Sequence, residues 1–136
     1  MGLKLALDTS AWSWFRKGEP RVVALLQRAS LIFVPAPTIG ELEAAFLRGS
    51  RPRENQLLLD AFLEEPLVRE VQIDRKIARR YGALFAKLRA AGTPISLNDV
   101  WIAAATIEGG ARLGTFDGDF DRVPGLSVEV LKPPGR

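Results

Sequence analysis

The sequence contains no cysteine and no histidine among its 136 residues. Without cysteine there can be no disulfide, no zinc–thiolate site and no thiol nucleophile. Without histidine the chain lacks the commonest general base, a Ser-His-Asp triad and the usual imidazole ligand of transition metals. Any catalysis must therefore depend on carboxylates, hydroxyls, lysine or arginine, and a metal cofactor would be a hard cation that prefers oxygen ligands.

Long apolar segments are missing as well. No run approaches the ~20 residues that a membrane-spanning helix needs, and Asp8 interrupts the first apolar segment too early for a signal peptide. We therefore expect a cytoplasmic protein with no membrane association. The chain has 47% apolar and 26% charged residues, which predicts a single globular domain over residues 1–136.

Short apolar segments alternate with amphipathic segments along the chain. The strands predicted from them are residues 3–7, 31–34, 68–73, 112–115 and 127–131. The predicted helices are residues 20–29, 38–48, 56–63, 75–91 and 96–107. Strands separated by helices are typical of an α/β fold with a central, mostly parallel sheet that helices cover on both faces.

Five acids lie at or near the predicted carboxyl ends of strands. Asp8 follows the first strand, Glu41 follows the second, and Asp117 and Asp119 follow the fourth, while Asp99 begins an apolar helix. Open parallel sheets bind their ligands at this edge, so the acids are predicted to converge there. Clustered carboxylates repel each other unless cations neutralise them, and Mg²⁺ or Mn²⁺ ions on such ligands are a recurrent device for cutting phosphodiesters.

Each acid also has a local structural explanation. Thr38 and Glu41, like Ser96 and Asp99, have the spacing of a helix capping box. Asp8 has neighbours typical of a turn, and the acids after the fourth strand lie in a glycine-containing loop. The same edge receives acids from four separate segments, and this convergence favours a site over the local explanations.

With these residues in view, the sequence resembles the PIN-domain family, and within it the VapC-type toxins. LDTS at 7–10 is similar to the family's opening strand, acid and hydroxyl, although Ser10 stands where asparagine is commoner. TIGEL at 38–42 and TFDGDF at 115–120 resemble the second and closing motifs. TPISLNDVWIAA at 93–104 is similar to the third motif and is the most specific piece.

The resemblance implies a Mg²⁺- or Mn²⁺-dependent endoribonuclease that is the toxin of a toxin–antitoxin pair. It implies a homodimer, a neutralising antitoxin and single-stranded or looped RNA as substrate. It also implies that one set of side chains binds metal and a second set orients an acid or contacts phosphate. The metal-binding set is Asp8, Glu41, Asp99 and Asp117, with Asp119 as a candidate fifth ligand, and the second set is Ser10 and Thr115.

The net charge and the apolar side chains of the helices each lead to a prediction about binding partners. Setting the five candidate ligands apart from the 16 acids leaves 11 acids against 19 basic residues, which favours a polyanionic partner. Apolar surface is expected to remain on the helices that hold Phe46, Leu58, Phe62, Tyr81 and Phe85, which favours a homodimer and antitoxin docking near the cleft.

Two other functions are compatible with parts of the pattern. Asp8 after the first strand could be the nucleophile of a HAD-like phosphohydrolase, but that family has a second acid two residues later, where this chain has Ser10. A degenerate PIN domain could serve as a non-catalytic RNA-binding or assembly module. The complete acid set argues against this second alternative.

Overall fold

A parallel five-stranded sheet organises the computed structural model, which describes residues 2–133. Met1 and residues 134–136 of the predicted 1–136 domain lie outside the described residues. The strands are β1 (Leu3–Leu7), β2 (Ala29–Pro35), β3 (Val68–Val71), β4 (Arg112–Thr115) and β5 (Val128–Val130). Their order is β3-β2-β1-β4-β5, and each neighbouring pair is parallel. The predicted α/β class with a parallel central sheet is confirmed.

Six α-helices and one short 3₁₀ helix connect the strands. The α-helices are α1 (Thr9–Arg16), α2 (Pro20–Arg28), α3 (Ala36–Arg48), α4 (Pro52–Leu63), α5 (Arg75–Ala90) and α6 (Leu97–Glu108). The 3₁₀ helix covers Gly118–Arg122 and precedes β5. Across residues 2–133, no helix is both long and apolar enough to cross a membrane.

The two faces of the sheet carry separate apolar cores, because successive side chains of a strand point to opposite faces. On β1, Leu5 and Leu7 pack with Leu25 of α2 and with the inner side chains of β2. Ala6 packs on the other face, in the core that contains Leu84 of α5 and much of α6. β1 is thus buried on both faces at the centre of the sheet.

Three local predictions are corrected by the structure. The segment after β1 was predicted as a turn, but it begins helix α1, with Asp8 as its N-cap. Helix α3 begins at Ala36, two residues before Thr38, so Thr38 does not cap it and the predicted capping box of Glu41 is wrong. The strand predicted over residues 68–73 ends at Val71, which leaves Ile73 outside the sheet.

Phe46 and the residues around it form a third, smaller core. Phe46 is 9% exposed and packs with Trp12, Leu42 and Leu59, between α1, α3 and α4. This core removes the Phe46 side chain from solvent, so it offers no surface to a partner. Phe85 and Leu58, by contrast, are 36% and 37% exposed.

Candidate active site

The crevice between β1 and β4 is the point at which the chain reverses its direction across the sheet. From β1 the chain adds β2 and β3 on one side, and it then crosses back to place β4 on the other side of β1. Open α/β sheets bind ligands outside the carboxyl ends of strands at such a reversal. Asp8 follows the end of β1 there, and Thr115 ends β4 beside it.

Asp8 is the most deeply buried of the candidate ligands, with 4% of its surface exposed. Its Oδ1 accepts hydrogen bonds from the Ala11 backbone N–H at 2.9 Å and from Ser10 Oγ at 2.8 Å, and its Oδ2 accepts one from Thr115 Oγ1. Burial raises the pKa of the Asp8 carboxyl, and the neighbouring charge of Asp117 adds to that rise. The hydrogen bonds act in the opposite direction because they favour the carboxylate.

The hydroxyls of Ser10 and Thr115 also fix the backbone of the segment that follows β4. Ser10 Oγ accepts a hydrogen bond from the Phe116 N–H at 2.9 Å, and Thr115 Oγ1 accepts one from the Asp117 N–H at 3.0 Å. Each hydroxyl therefore donates to Asp8 while it accepts from the loop that carries Asp117. The result is a hydrogen-bonded connection between the ends of β1 and β4.

Glu41 of α3 is held between two other helices. Thr9 Oγ1 of α1 donates to Glu41 Oε1 at 2.6 Å, and Asn98 Nδ2 of α6 approaches Glu41 Oε2 at 3.3 Å. Sequence reasoning did not assign roles to Thr9 or Asn98, although each directly adjoins a candidate acid. Their adjacency to Asp8 and Asp99 was the available signal.

Asp99 lies in the first turn of α6 and is partly buried. Its backbone N–H donates to Ser96 Oγ at 3.2 Å, so Ser96 is the N-cap of the helix. Burial raises the pKa of the Asp99 carboxyl to about 6, against an opposing contribution from the Ser96 hydroxyl. The charges of Asp117, Glu41 and Asp8 raise it further, which shows that the four acids lie within electrostatic reach of one another.

The two acids of the closing segment have different surroundings. Asp117 is the N-cap of the 3₁₀ helix, and its Oδ1 accepts a hydrogen bond from the Asp119 N–H at 2.9 Å. The Asp119 carboxylate lies 3.6 Å from the Arg122 guanidinium, with both side chains 48% exposed. Asp119 is not among the charges that raise the pKa of Asp99, so its role as a fifth ligand stays a prediction.

The chemistry of this site fits a hard divalent cation. The acids present oxygen ligands, and burial together with mutual repulsion makes their charged forms costly unless a cation compensates. Within the part of the chain that the structure describes, no three carboxylates are close enough to enclose one ion. Mg²⁺ usually retains several waters and takes only one or two protein carboxylates, so an open arrangement of this kind is compatible with it.

The molecule is thus an α/β domain with a parallel sheet and a candidate metal-binding active site at the carboxyl ends of β1 and β4. The chain belongs to the PIN-domain family, whose model matches residues 5–126. This confirms the family resemblance that the sequence motifs suggested.

Individual relatives place the chain more narrowly within that family. It is 30% identical over 98 residues to ribonuclease VapC4 of Mycobacterium tuberculosis, which covers 72% of this chain and 75% of the relative. It is 29% identical over 106 residues to ribonuclease VapC2 of Rickettsia felis, covering 77% and 78% of the two chains. In the crystal structure of VapBC2 from Rickettsia felis bound to a promoter DNA fragment, one chain superposes with a TM-score of 0.85. The two are 24% identical over 96% of this chain and 100% of that one, and the similarity shows the shared fold.

Proposed function

We propose that this protein is a Mg²⁺- or Mn²⁺-dependent endoribonuclease and the toxin of a toxin–antitoxin pair that inhibits growth by cutting RNA. The observation that carries the proposal is the hydrogen bonding that links the four acids at the β1–β4 crevice. Ser10 and Thr115 join Asp8 to the segment of Asp117. Glu41 accepts hydrogen bonds from Thr9, next to Asp8, and from Asn98, next to Asp99. The VapC ribonucleases among its relatives support the same activity. RNA as substrate implies action in the cytoplasm.

The side chains divide into those that would hold the cation and those that position them. Asp8, Glu41, Asp99 and Asp117 would supply the carboxylate oxygens. A bound divalent cation would lower the pKa of the attacking water and stabilise negative charge on the leaving oxygen. The residues that orient these carboxylates are Ser10 and Thr115, which donate to Asp8, and Thr9 and Asn98, which donate to Glu41.

Basic side chains near the crevice suit a polyanionic substrate. Arg16 and Lys17 are exposed at the end of α1, the helix that begins beside Asp8. Lys17 Nζ lies 4.6 Å from the ring centre of Trp14, which packs against Phe116 of the closing segment. These side chains are well placed to contact RNA phosphates.

The two alternative functions are less compatible with the site. A HAD-like nucleophile is accompanied by a second acid two residues later, whereas that position here is Ser10, whose hydroxyl donates to Asp8. This disfavours the HAD-like phosphohydrolase. A degenerate PIN domain would be expected to have lost acids, and this chain retains Asp8, Glu41, Asp99 and Asp117.

A chelation experiment tests the proposed function. The purified protein is expected to cut single-stranded RNA, to lose this activity in EDTA, and to recover it when Mg²⁺ or Mn²⁺ is added in excess. Asp8→Asn and Glu41→Gln, purified in the same way, control for contaminating ribonuclease and should remain inactive with either metal. Cleavage that persists in EDTA, or that both variants retain, would overturn the proposal.

A further inference from the structure

A second concave feature lies beside the acid cluster, between the end of α5 and the start of α6. It is an apolar cavity of about 330 Å³. Phe85 and Leu88 of α5 form one wall, and Leu97 and Val100 of α6 form another. Val100 directly follows Asp99 in the chain, so one turn of α6 contributes to both the cavity and the acid cluster.

The cavity contains a single charged side chain. Arg89 lines it, and within residues 2–133 this arginine forms no ion pair with a carboxylate. Arg80 on the same helix, by contrast, is paired with Glu108 at 2.8 Å. A free guanidinium at the edge of an apolar cavity suits a ligand that combines a flat apolar body with a negative charge.

The cavity is also connected to the loop that follows β4. Pro94 lines the cavity, and the Arg122 guanidinium lies 3.5 Å from the Pro94 carbonyl oxygen. The same guanidinium lies 3.6 Å from the Asp119 carboxylate, two residues after Asp117. Arg122 therefore connects the α5–α6 linker, which lines the cavity, with the segment that carries Asp117.

We propose that this cavity binds the base of an RNA nucleotide next to the cleaved phosphodiester, with Arg89 contacting that nucleotide's phosphate. The inference rests on the proposed ribonuclease activity and deepens it by assigning a binding subsite for the base beside the cleaved bond. A cavity at the small end of the usual range for ligand pockets, about 300–1,000 Å³, suits a single base better than a folded partner. Stacking on Phe85 and contact with Leu97 provide apolar surface for it, and Arg89 supplies charge complementary to phosphate.

Two variants perturb the cavity without touching the acids. Leu97→Trp places a large ring at a side chain that is 56% exposed, so it fills the cavity with little demand on the core. Arg89→Gln removes the charge. Leu67→Trp, at a leucine that is 49% exposed before the amino end of β3, is the matched control, and Arg28→Gln at the end of α2 is the control for charge. Both control positions lie at the amino ends of strands, whereas the acids lie beyond the carboxyl ends.

The test compares a cleavable RNA with versions that carry an abasic nucleotide at each position flanking the cleaved bond. For the wild type, one abasic position should lower kcat/KM by about tenfold or more, as expected for loss of a stacked base. Leu97→Trp should lower kcat/KM on intact RNA by a similar factor, mainly through KM, and should abolish the abasic effect. Arg89→Gln should raise KM for both RNAs, and the controls should behave as wild type.

Crosslinking gives a readout that does not depend on turnover. RNA carrying 4-thiouridine at the sensitive position, irradiated with the Asp99→Asn variant, should crosslink within residues 85–100, and the added Leu97→Trp change should suppress this crosslink. An unchanged abasic penalty in Leu97→Trp, or crosslinks only elsewhere, would overturn the assignment while leaving the ribonuclease intact. A change in oligomeric mass on Leu97→Trp with an unchanged abasic penalty would also overturn it, because the cavity would then be a protein contact. Wild-type protein that cuts no RNA would instead overturn the proposed function itself.

Discussion

At the scale of single residues, Asp99 best separates a structural role from a catalytic one. The helix cap at Ser96 is made by the backbone N–H of Asp99, which any residue at this position would supply. The carboxylate itself faces the charges of Asp117, Glu41 and Asp8. Its position is thus unfavourable for a carboxylate that serves only to cap a helix, and suitable for one that binds a cation.

Replacing Asp99 with asparagine should move activity and stability in opposite directions. Cleavage in excess Mg²⁺ should fall by more than the about 10- to 100-fold typical of outer-shell partners of a metal, because a ligand is lost. In EDTA the variant should be more stable than wild type at neutral pH, since a carboxyl whose pKa is about 6 when folded and about 3.8 when unfolded disfavours folding when it is ionised. That penalty is absent below about pH 4 and develops as the pH rises through about 6, so the Tm difference should grow over this range.

Thermal unfolding in EDTA across a pH series, alongside cleavage rates, checks this prediction. Asp74→Asn is the matched control, because Asp74 caps α5 through a 2.9 Å bond from the Ile77 N–H, and asparagine caps equally well. The control should change neither quantity. Near-normal cleavage by Asp99→Asn together with a lower Tm would leave Asp99 as a structural residue.

Ser10 should act through Asp8 rather than on the substrate. Ser10→Ala removes a donor to the Asp8 carboxylate and an acceptor for the Phe116 N–H, so the pKa of Asp8 should rise further. We expect cleavage to fall by about 10- to 100-fold, with part of the loss recovered at higher pH as Asp8 ionises. Ser13→Ala on the same helix, whose hydroxyl contacts only the Thr9 carbonyl in the described structure, should retain the wild-type pH profile. A pH-independent loss would contradict this role.

At the scale of secondary structure elements, the placement of α3 against β1 determines where Glu41 lies. Thr38 is fully buried, and its Oγ1 donates to the Leu7 carbonyl oxygen at 3.1 Å. This bond joins the first turn of α3 to the last residue of β1. Glu41 follows one turn later, where it accepts a hydrogen bond from Thr9, the residue next to Asp8.

Thr38→Val should weaken this attachment while preserving side-chain volume. Loss of the buried hydrogen bond should lower the free energy of unfolding by about 1–3 kcal/mol, and displacement of Glu41 should also reduce cleavage. Thr106→Val is the matched control, because Thr106 is equally buried but donates within its own helix, to the Ile102 carbonyl at 2.8 Å. Denaturant unfolding and cleavage rates should show a loss of activity for Thr38→Val only. Equal activity in the two variants would argue against the positioning role of Thr38.

At the scale of the whole molecule, the α3–α4 hairpin leaves apolar surface exposed. Leu47 is 70% exposed, Leu57 55% and Leu58 37%, although the same hairpin buries Phe46 and Leu59. We expect exposed leucines grouped on one hairpin to form a protein interaction site. It is consistent with the homodimer and the antitoxin that we propose as partners.

We expect the protein to be a dimer at micromolar concentration and Leu47→Asp to shift it towards the monomer. A charged side chain in this patch would lose its water on association, which opposes burial. Light scattering over a concentration series measures the change, and Leu67→Asp, at a leucine that is 49% exposed outside the hairpin, is the control. A wild-type monomer would contradict the prediction, and a dimer unaffected by Leu47→Asp would place the interface elsewhere.

The sequence by itself determined the order along the chain of the five strands and of helices α2 to α6, and the positions of the acids relative to them. Apolar periodicity is a local property, so β1, β4, α2 and α5 could be recognised without knowledge of their neighbours. The rule that ligand sites lie beyond the carboxyl ends of parallel strands then brought Asp8 and Asp117 to one edge. That step required only the parallel class of the sheet.

Only the tertiary structure decided how those acids are held and what surrounds them. The hydrogen bond from Thr115 to Asp8 joins residues 107 positions apart, and the bond from Thr9 to Glu41 spans 32 positions. The small core of Trp12, Leu42, Phe46 and Leu59 and the raised pKa of Asp99 depend in the same way on packing between distant segments. Local patterns contain no information on such contacts, because burial and electrostatic surroundings arise only when the elements pack together.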